Sequence, residues 1–358
     1  MHLELSDEQE LFITSLREWL GERAAASSVR GWLDTGDPIF ERLFVAEGWA
    51  GVGFAEDLGG QGGGLLELAL TARELGRAAA PSAGWLQSVI VVPSLANEAA
   101  LVRAALESGD VTALAVRADR IPAAVTSVQS RTGRLHGRIS CVLGATQSRR
   151  LLVPVAEGEA TSLWLVDAAD GGVEVRPRPL LDRSRDVADV ILDDVAARRL
   201  DIDATAALSE IATRAAILVA ADALGTAERM LQLAVDYSKQ RQQFGRPIGS
   251  FQAVKHAAAQ MLVTVESSKS IVCYAAQSAE EGLPERATHA AVAKAQVTRG
   301  AAEIADSALT LHGAVGYTWD HDLQLFYKRA KLDRVLFGTP TAWNDRIADV
   351  LPLLPATG

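Results

Sequence analysis

The chain has little cysteine and none of the short motifs that mark common cofactor and metal sites. Its two cysteines, Cys141 and Cys273, stand far apart among apolar residues, which indicates a reduced protein without a disulfide framework. No GxGxxG, P-loop, HExxH, CxxC or GxSxG sequence occurs, so a Rossmann site is not expected. The six histidines are scattered without ligand spacing, and we expect no metal site. The glycine run "GGQGGG" predicts a surface turn, with a phosphate cradle as the alternative.

Positive charge and long apolar runs are also scarce. The 358 residues carry 35 basic and 45 acidic side chains, and this net charge of -10 disfavours nucleic acid as a partner. The apolar run "AAILVAADAL" (residues 215–224) contains Asp222 and is too short to span a bilayer. The acidic start "MHLELSDEQE" predicts no signal or transit peptide. We therefore expect a cytoplasmic protein that binds neither nucleic acid nor a membrane.

The apolar periodicity changes twice along the chain. Residues 1–105 have helical periodicity and begin with a capping box at Ser6 and Gln9. Residues 106–200 hold short β-rich runs such as "RLLVPV" and "SLWLVDA", with "DVADVILDDV" as the last strand. Residues 201–358 return to long amphipathic helices. The predicted fold class is α+β and mainly α: an N-terminal helical domain, a small central antiparallel β domain and a C-terminal helical bundle.

The predicted bundle helices are apolar on more than one side. The runs "KHAAAQMLVTV" (residues 255–265) and "HAAVAKAQV" (residues 289–297) are examples. A helix that is apolar on two sides needs two partners, so an oligomer is expected. We predict a dimer of dimers, formed with a paralogous subunit or with copies of the same chain.

Three longer motifs follow one another in the order of a known family. They are "EGWAGVGFAEDLGGQGGGLLELALTARELGRA" (residues 47–78), "RQQFGRPIGSFQ" (residues 241–252) and "LHGAVGYTWDHDLQLFYKRAK" (residues 311–331). Together with the order α, β, α, they resemble the acyl-CoA dehydrogenase family over nearly the whole chain. The resemblance implies FAD as cofactor, an acyl-CoA thioester as substrate, and electron-transfer flavoprotein or a similar acceptor as partner.

In the family, the loop of the second motif holds the FAD of a neighbouring subunit. The resemblance places Arg241 on the pyrophosphate, where a planar cation can contact two oxygens, and Phe244 against the adenine ring. The further cofactor contacts that it implies are Gln243, Gln252, Thr310, Gly313, Ala314 and Thr339. The alternative for "RQQFG" alone is an ordinary turn between helices, with an arginine favoured by the helix dipole.

The sequence departs from the family where the chemistry would occur. The reaction needs a base within hydrogen-bond reach of the substrate α-proton. The two positions at which the family places a glutamate are Phe337 and, 26 residues before Arg241, Ala215. We therefore predict no catalytic residue. The segments expected to contact the flavin ring, "VRADRIPA" (residues 116–123) and "CVL" (residues 141–143), lack the family's glycine and hydroxyl residues.

Three hypotheses remain open. The chain resembles a degenerate actinobacterial subunit that completes the FAD site of a catalytic partner. Alternatively, it is a self-sufficient flavoenzyme of the same fold, desulfinase-like or monooxygenase-like, or with a relocated base such as Asp222 or Glu228. The third hypothesis is a flavin-free scaffold. We expect His312 to pack at a helix end, and Trp319 and Trp343 to be core or interface residues. The sequence leaves the acyl group open.

Overall fold

The computed structural model describes residues 5–95 and 98–351. Its first part is helical, as predicted. Ser6 caps the first helix, because Gln9 N donates to Ser6 Oγ at 3.2 Å and Ser6 N donates to Gln9 Oε1 at 3.0 Å. The predicted capping box is therefore confirmed. The helices of this part are α1 (Asp7–Arg23), α2 (Ala26–Thr35), α3 (Ile39–Ala46), α4 (Leu65–Arg77), α5 (Ala83–Val91) and α6 (Ala99–Ser108).

Two four-stranded sheets form the middle part and enclose their own apolar core. The strands are β1 (Val111–Leu114), β2 (Val128–Arg131), β3 (Arg134–Leu143), β4 (Ser148–Glu157), β5 (Ala160–Asp167), β6 (Val173–Arg178), β7 (Val187–Ala196) and β8 (Arg198–Arg199). One sheet has the order β1-β4-β5-β8 and the other β2-β3-β7-β6. The pairing is antiparallel, as predicted, except that β1 runs parallel to β4.

Long helices form the last part of the chain. They are α7 (Ala204–Gln240), α8 (Gln252–Glu280), α9 (Arg286–His312), α10 (Leu323–Asp333) and α11 (Pro340–Val350). Among the described residues, α7 is the one helix long and apolar enough to cross a membrane, and 78% of its most apolar stretch is buried in the protein. A core helix passes the same test. The helix, β and helix order confirms the predicted fold class, while the domain limits at 105 and 200 stay predictions.

Two glycines allow α4 and α7 to cross closely. A Cβ atom on Gly225 would lie 1.7 Å from Arg73 O, and one on Gly76 would lie 2.1 Å from Asp222 O. Beside this crossing, the guanidinium of Arg73 donates two hydrogen bonds to Glu228, at 3.0 and 2.7 Å. Close backbone contact therefore fixes the first helical part on the bundle.

Arg329, on α10, is fully buried and joins three parts of the chain. Its Nη1 lies 2.9 Å from Oδ2 of Asp222 on α7, and its Nη2 donates to Ala80 O at 2.6 Å, just before α5. Its Nε lies 3.1 Å from Oδ2 of Asp182, in the loop between β6 and β7. Arg185 of the same loop donates to Asp222 at 2.6 Å. This network holds the β part against both helical parts.

The surface of α8 bears on the predicted oligomer. Met261 and Val265 are buried, whereas Leu262 is 48% and Val263 is 63% exposed on the same helix. The apolar face is therefore only partly covered within one chain. The dimer of dimers stays a prediction.

Replacing Arg329 by methionine is expected to lower the free energy of unfolding by about 3–5 kcal/mol, because Asp182 and Asp222 would lose a buried cation. Urea denaturation measures the loss. The matched control is Lys239→Met, which breaks an exposed ion pair with Asp236 and should cost under about 1 kcal/mol. Equal losses in the two variants would contradict the role given to Arg329.

Candidate cofactor site

The "RQQFGRP" segment forms a short β-hairpin at the end of α7. Strands β9 (Gln242–Gln243) and β10 (Arg246–Pro247) pair antiparallel, and Ile248 N donates to Arg241 O at 2.8 Å. The turn residues Phe244 and Gly245 have φ values of 55° and 76°. Positive φ at both positions is typical of a two-residue hairpin turn, but a bulky side chain there is rare. A phenylalanine held in this conformation suggests a functional constraint.

The hairpin displays its side chains to the outside. Phe244 is 92% exposed, and its ring meets the ring of Phe251 edge to face, with ring centroids 6.0 Å apart. Arg246 lies over the ring of Phe251 at 4.2 Å. Arg241 is exposed and makes no ion pair with any described residue. An aromatic face and an unpaired guanidinium are therefore available to a ligand or partner outside this chain.

The third motif lies at the same end of the bundle. His312, at the end of α9, stacks on Tyr237, one turn before Arg241, with ring centroids 4.6 Å apart. His312 is 4% exposed and its Nδ1 lies 2.7 Å from Ala308 O, so it packs at the helix end as expected. Burial lowers the pKa of His312. The predicted contact residues that follow α7 and end α9 thus come together, and all of them are exposed or partly exposed: Arg241, Gln243, Phe244, Gln252, Thr310, Gly313 and Ala314.

Thr339 lies apart from this group. It caps α11, where its Oγ1 accepts from Ala342 N at 3.3 Å. Lys294 Nζ donates to the neighbouring Gly338 O at 2.9 Å. Lys294 stands 19 residues before Gly313, roughly 28 Å along α9. The contact residues implied by the resemblance therefore lie at two separate places on one chain. Thr339 is at the second place, next to Phe337, which stands at a position where the family has its base.

At this second place, the segments expected around a flavin ring touch one another directly. Phe337 is fully buried, and its N–H donates to Ala118 O at 2.6 Å. Ala118 N in turn donates to Cys141 O at 2.9 Å. A Cβ atom on Gly338 would lie 2.6 Å from Ile121. These contacts join the segments expected around a flavin ring directly to one another, whereas the hairpin at the end of α7 is exposed.

Lys294 contacts the loop that carries Phe337. The sequence analysis did not predict this residue. It is fully buried and donates to the carbonyls of Asp333 and Gly338, both at 2.9 Å. Burial lowers its pKa to about 7. Its position was detectable, because Lys294 shares the helical spacing of the buried residues Ala291 and Val297.

Both carboxylates considered as a relocated base are engaged in ion pairs. Asp222 is occupied by Arg185 and Arg329, and Glu228 by Arg73. Ala215 is fully buried, beside Arg214, whose Nε donates to Val89 O at 3.0 Å. Asp222 and Glu228 therefore have structural roles as ion-pair partners.

The structure also tests the predictions for the two tryptophans and for the glycine run. Trp343 is a core residue at 1% exposure, whereas Trp319 is 65% exposed, with Lys328 Nζ 3.6 Å from its ring. Trp319 is therefore not a core residue of this chain. The glycine run is a turn, in which a Cβ atom on Gly60 would lie 2.1 Å from Phe54 O. Among the described residues, no group of acidic, histidine or cysteine side chains could hold a metal ion.

Comparison with known proteins decides the family. The N-terminal domain model of acyl-CoA dehydrogenases matches residues 6–100, and the C-terminal domain model matches residues 205–351. The acyl-CoA dehydrogenase IpdE2 of Mycolicibacterium smegmatis is 31% identical over 343 residues, covering 94% of this chain and 96% of that protein. The chain belongs to the acyl-CoA dehydrogenase family. The family that the motifs resemble is thus confirmed.

Solved structures of acyl-CoA dehydrogenases share the fold over the full length. A variant of the Tcur3481–Tcur3483 steroid ACAD matches with a TM-score of 0.87 and 26% identity, over 96% of this chain and 97% of that one. The ChsE4–ChsE5 complex from Mycobacterium tuberculosis matches with a TM-score of 0.86 and 25% identity, over 99% and 100%.

The two Phe-Gly pairs allow a matched test of the exposed and buried sites. Phe244 and Phe337 both have positive φ, at 55° and 53°, but the first is 92% exposed and the second is fully buried. Phe244→Gly should change the free energy of unfolding by less than about 1 kcal/mol, since it removes backbone strain and little packing. Phe337→Gly should cost about 3–5 kcal/mol. Urea denaturation of both variants measures this, and similar losses would contradict the assignment.

Lys294 should make stability depend on pH at alkaline values. Its pKa falls from 10.5 to about 7 on folding, so between these values the unfolded chain binds more protons than the folded one. The free energy of unfolding of the natural protein, relative to Lys294→Met, should therefore rise from pH 7 towards pH 10.5. Urea denaturation of both proteins across this range tests the sign. A difference that stays constant or falls would contradict the lowered pKa.

Proposed function

We propose that this chain is the non-basic subunit of a heteromeric, FAD-dependent acyl-CoA dehydrogenase. One observation carries the proposal: the hairpin with Arg241 and Phe244 is exposed, while Phe337 is buried against a segment expected around a flavin ring. Phe244 is 92% exposed, and Phe337 N is bonded to Ala118 O at 2.6 Å. A chain that offers contacts to a cofactor but has no room for its ring serves the cofactor of another subunit.

The exposed residues have defined tasks under this proposal. Arg241 neutralises the pyrophosphate and Phe244 stacks on the adenine, while Gln243 and Gln252 provide amide hydrogen bonds. Thr310, Gly313 and Ala314 line the same end of the bundle. FAD, when bound, supplies the acceptor for the hydride that leaves the substrate β-carbon. This chain orients the cofactor and covers its adenosine half from water.

The base that removes the α-proton belongs to the partner subunit. Neither Phe337 nor Ala215 can accept a proton, and both are fully buried. The carboxylates of Asp222 and Glu228 are engaged by arginines. Losing a positioned base costs on the order of 10²–10⁴ in rate, so the isolated chain should not oxidise acyl-CoA thioesters.

Two structural neighbours support this assembly and suggest a substrate class. One is described as a ChsE4–ChsE5 complex, and the other as a Tcur3481–Tcur3483 steroid ACAD. For this chain, we extend the proposal to a dimer of dimers with a paralogous subunit, acting in the cytoplasm on the CoA thioester of a bulky, steroid-type acyl group. Electrons would leave through electron-transfer flavoprotein or a similar acceptor.

The hypotheses of a self-sufficient flavoenzyme and of a flavin-free scaffold remain as alternatives. A self-sufficient enzyme requires the contact between Phe337 and Ala118 to open and admit a flavin ring. A scaffold requires the exposed Arg241 and Phe244 to contact protein alone. Flavin content, measured with and without the partner, separates all three.

Replacing Arg241 by alanine should deplete FAD from the complex with a co-expressed paralogous subunit. Loss of a charge-assisted hydrogen bond to phosphate costs about 1.5–3 kcal/mol, or roughly 10–100-fold in FAD affinity. The measurements are the ratio of FAD to protein and dye-linked dehydrogenation of acyl-CoA. Arg103→Ala is the matched control, because Arg103 is an exposed arginine on α6, outside the hairpin.

Three outcomes would overturn the proposal in different ways. Robust activity of the isolated natural chain would show that it is self-sufficient and carries a relocated base. An unchanged FAD content in the Arg241→Ala complex would show that the hairpin does not contact the cofactor. Flavin that binds the isolated chain stoichiometrically would show that the closed place opens.

A further inference from the structure

Three aromatic rings from different elements pack together at the base of the hairpin. Tyr237 of α7 stacks on His312 at the end of α9, with ring centroids 4.6 Å apart and an angle of 24° between the ring planes. His321, which precedes α10, meets both rings edge to face, at 4.8 Å from His312 and 6.5 Å from Tyr237. The ends of α7 and α9 and the start of α10 therefore meet through ring contacts.

Backbone hydrogen bonds fix both histidine rings in this cluster. The Nδ1 of His312 lies 2.7 Å from Ala308 O, and because a carbonyl oxygen only accepts, this nitrogen carries a proton. The Nδ1 of His321 accepts from Leu323 N at 3.1 Å, so it carries none. Each ring is thus held in one orientation by its own chain segment, and His312 presents a fixed face to Tyr237.

The backbone of Tyr237 connects this cluster to the hairpin. Arg241 N donates to Tyr237 O at 2.8 Å, which closes the last turn of α7. On the other side of the stack, His312 is the last residue of α9 and belongs to the segment 310–314. Among the described residues, no hydrogen bond or ion pair joins residues 241–247 to this segment. The ring stack therefore ties the two segments together at their own end of the bundle.

The ring of Tyr237, and not its hydroxyl, makes the side-chain contacts. The hydroxyl has no hydrogen bond with the described residues, and the side chain is half-buried. A pair of aromatic rings stabilises beyond the apolar area that it buries, by an amount that corresponds to roughly 2–10-fold in an equilibrium constant. A ring at position 237 therefore restrains the two helix ends more strongly than an aliphatic side chain of similar size.

We propose that Tyr237 is a positioning residue for the FAD of a neighbouring subunit. By stacking on His312, it keeps the hairpin at the distance from Gly313 that one adenosine and pyrophosphate unit requires. Tyr237 itself makes no contact with the cofactor under this proposal and acts through Arg241 and Phe244. The inference rests on the proposed function and adds to it a residue that orients the exposed contacts before the cofactor arrives.

The test measures the FAD affinity of the complex with a co-expressed paralogous subunit, by titration of the flavin-depleted complex with FAD. Tyr237→Leu should weaken FAD binding roughly 2–10-fold, because the ring stack is lost while Arg241 and Phe244 remain. Tyr237→Phe keeps the ring and should restore the natural affinity. The mass of the complex should be the same in both variants, which separates a positioning effect from a loss of assembly.

A second tyrosine and histidine pair supplies the matched control. Tyr274 of α8 meets His289 edge to face at 4.7 Å, near the other end of α9. Tyr274→Leu removes the same kind of ring contact far from the hairpin and should leave the FAD affinity unchanged. His312→Asn removes the opposite ring of the stack but keeps an N–H donor for Ala308 O. It should weaken FAD binding as Tyr237→Leu does, and the double variant should weaken it no further.

The outcomes separate this inference from the proposed function. If Arg241→Ala weakens FAD binding and Tyr237→Leu does not, the positioning role is overturned and the proposed function stands. If neither variant weakens FAD binding, both are overturned. A Tyr237→Phe complex as weak as the Tyr237→Leu complex would show that the ring stack is not the cause. If Tyr237→Leu fails to assemble, His312→Asn and Tyr274→Leu decide, and equal effects of these two would overturn the inference.

Discussion

The buried guanidinium of Arg329 is the interaction on which the arrangement of this chain depends. It contacts Asp222 in the bundle, Ala80 beside the N-terminal helices and Asp182 in the β part. Arg185 and Arg329 lie out of water here with Asp182 and Asp222, and removing Arg329 would leave Asp182 without an ion-pair partner among the described residues. The network also fixes the loop between β6 and β7, because Arg185 of that loop donates to Asp222.

The helix α9 separates the exposed hairpin from the buried Phe337 loop. His312 and the exposed hairpin stand at one end of the helix. Lys294 and the buried Phe337 loop lie roughly 28 Å away along it. Because the helix holds these two places roughly 28 Å apart, we expect them to contact different cofactor molecules. This separation supports the proposal that each cofactor is shared between two subunits.

The sequence predicted the features that rest on local rules. The capping box at Ser6, the long helices and the strand predicted at residues 186–195, which is β7 (Val187–Ala196), all follow from spacing and composition. That strand is not the last one as predicted, because the two-residue β8 (Arg198–Arg199) follows it. The sequence analysis missed the β2–β3 hairpin, although Thr132 and Gly133 form its turn, because the flanking strands mix polar and apolar residues. The features that were predicted correctly depend on residues that are close together in the sequence.

The burial of particular side chains could not be predicted in the same way. "RQQFG" and "LFG" contain the same Phe-Gly pair, yet Phe244 is exposed and Phe337 is buried. The residues that close the second site, Ala118 and Lys294, come from distant parts of the chain. The same holds for Arg329, whose partners are 107 and 145 residues away. Such contacts depend on tertiary packing, and one sequence does not reveal them.

The turn at Phe244 has a consequence for the speed of recognition. Its positive φ is already present in the free chain, held by the pairing of β9 with β10. The aromatic ring therefore stands in its presenting position before any ligand arrives, and the entropy of ordering a loop is spent during folding instead of during binding. A surface prepared in this way behaves as a rigid template. Under the proposed assembly, a neighbouring subunit would meet this surface without a rearrangement of the hairpin backbone.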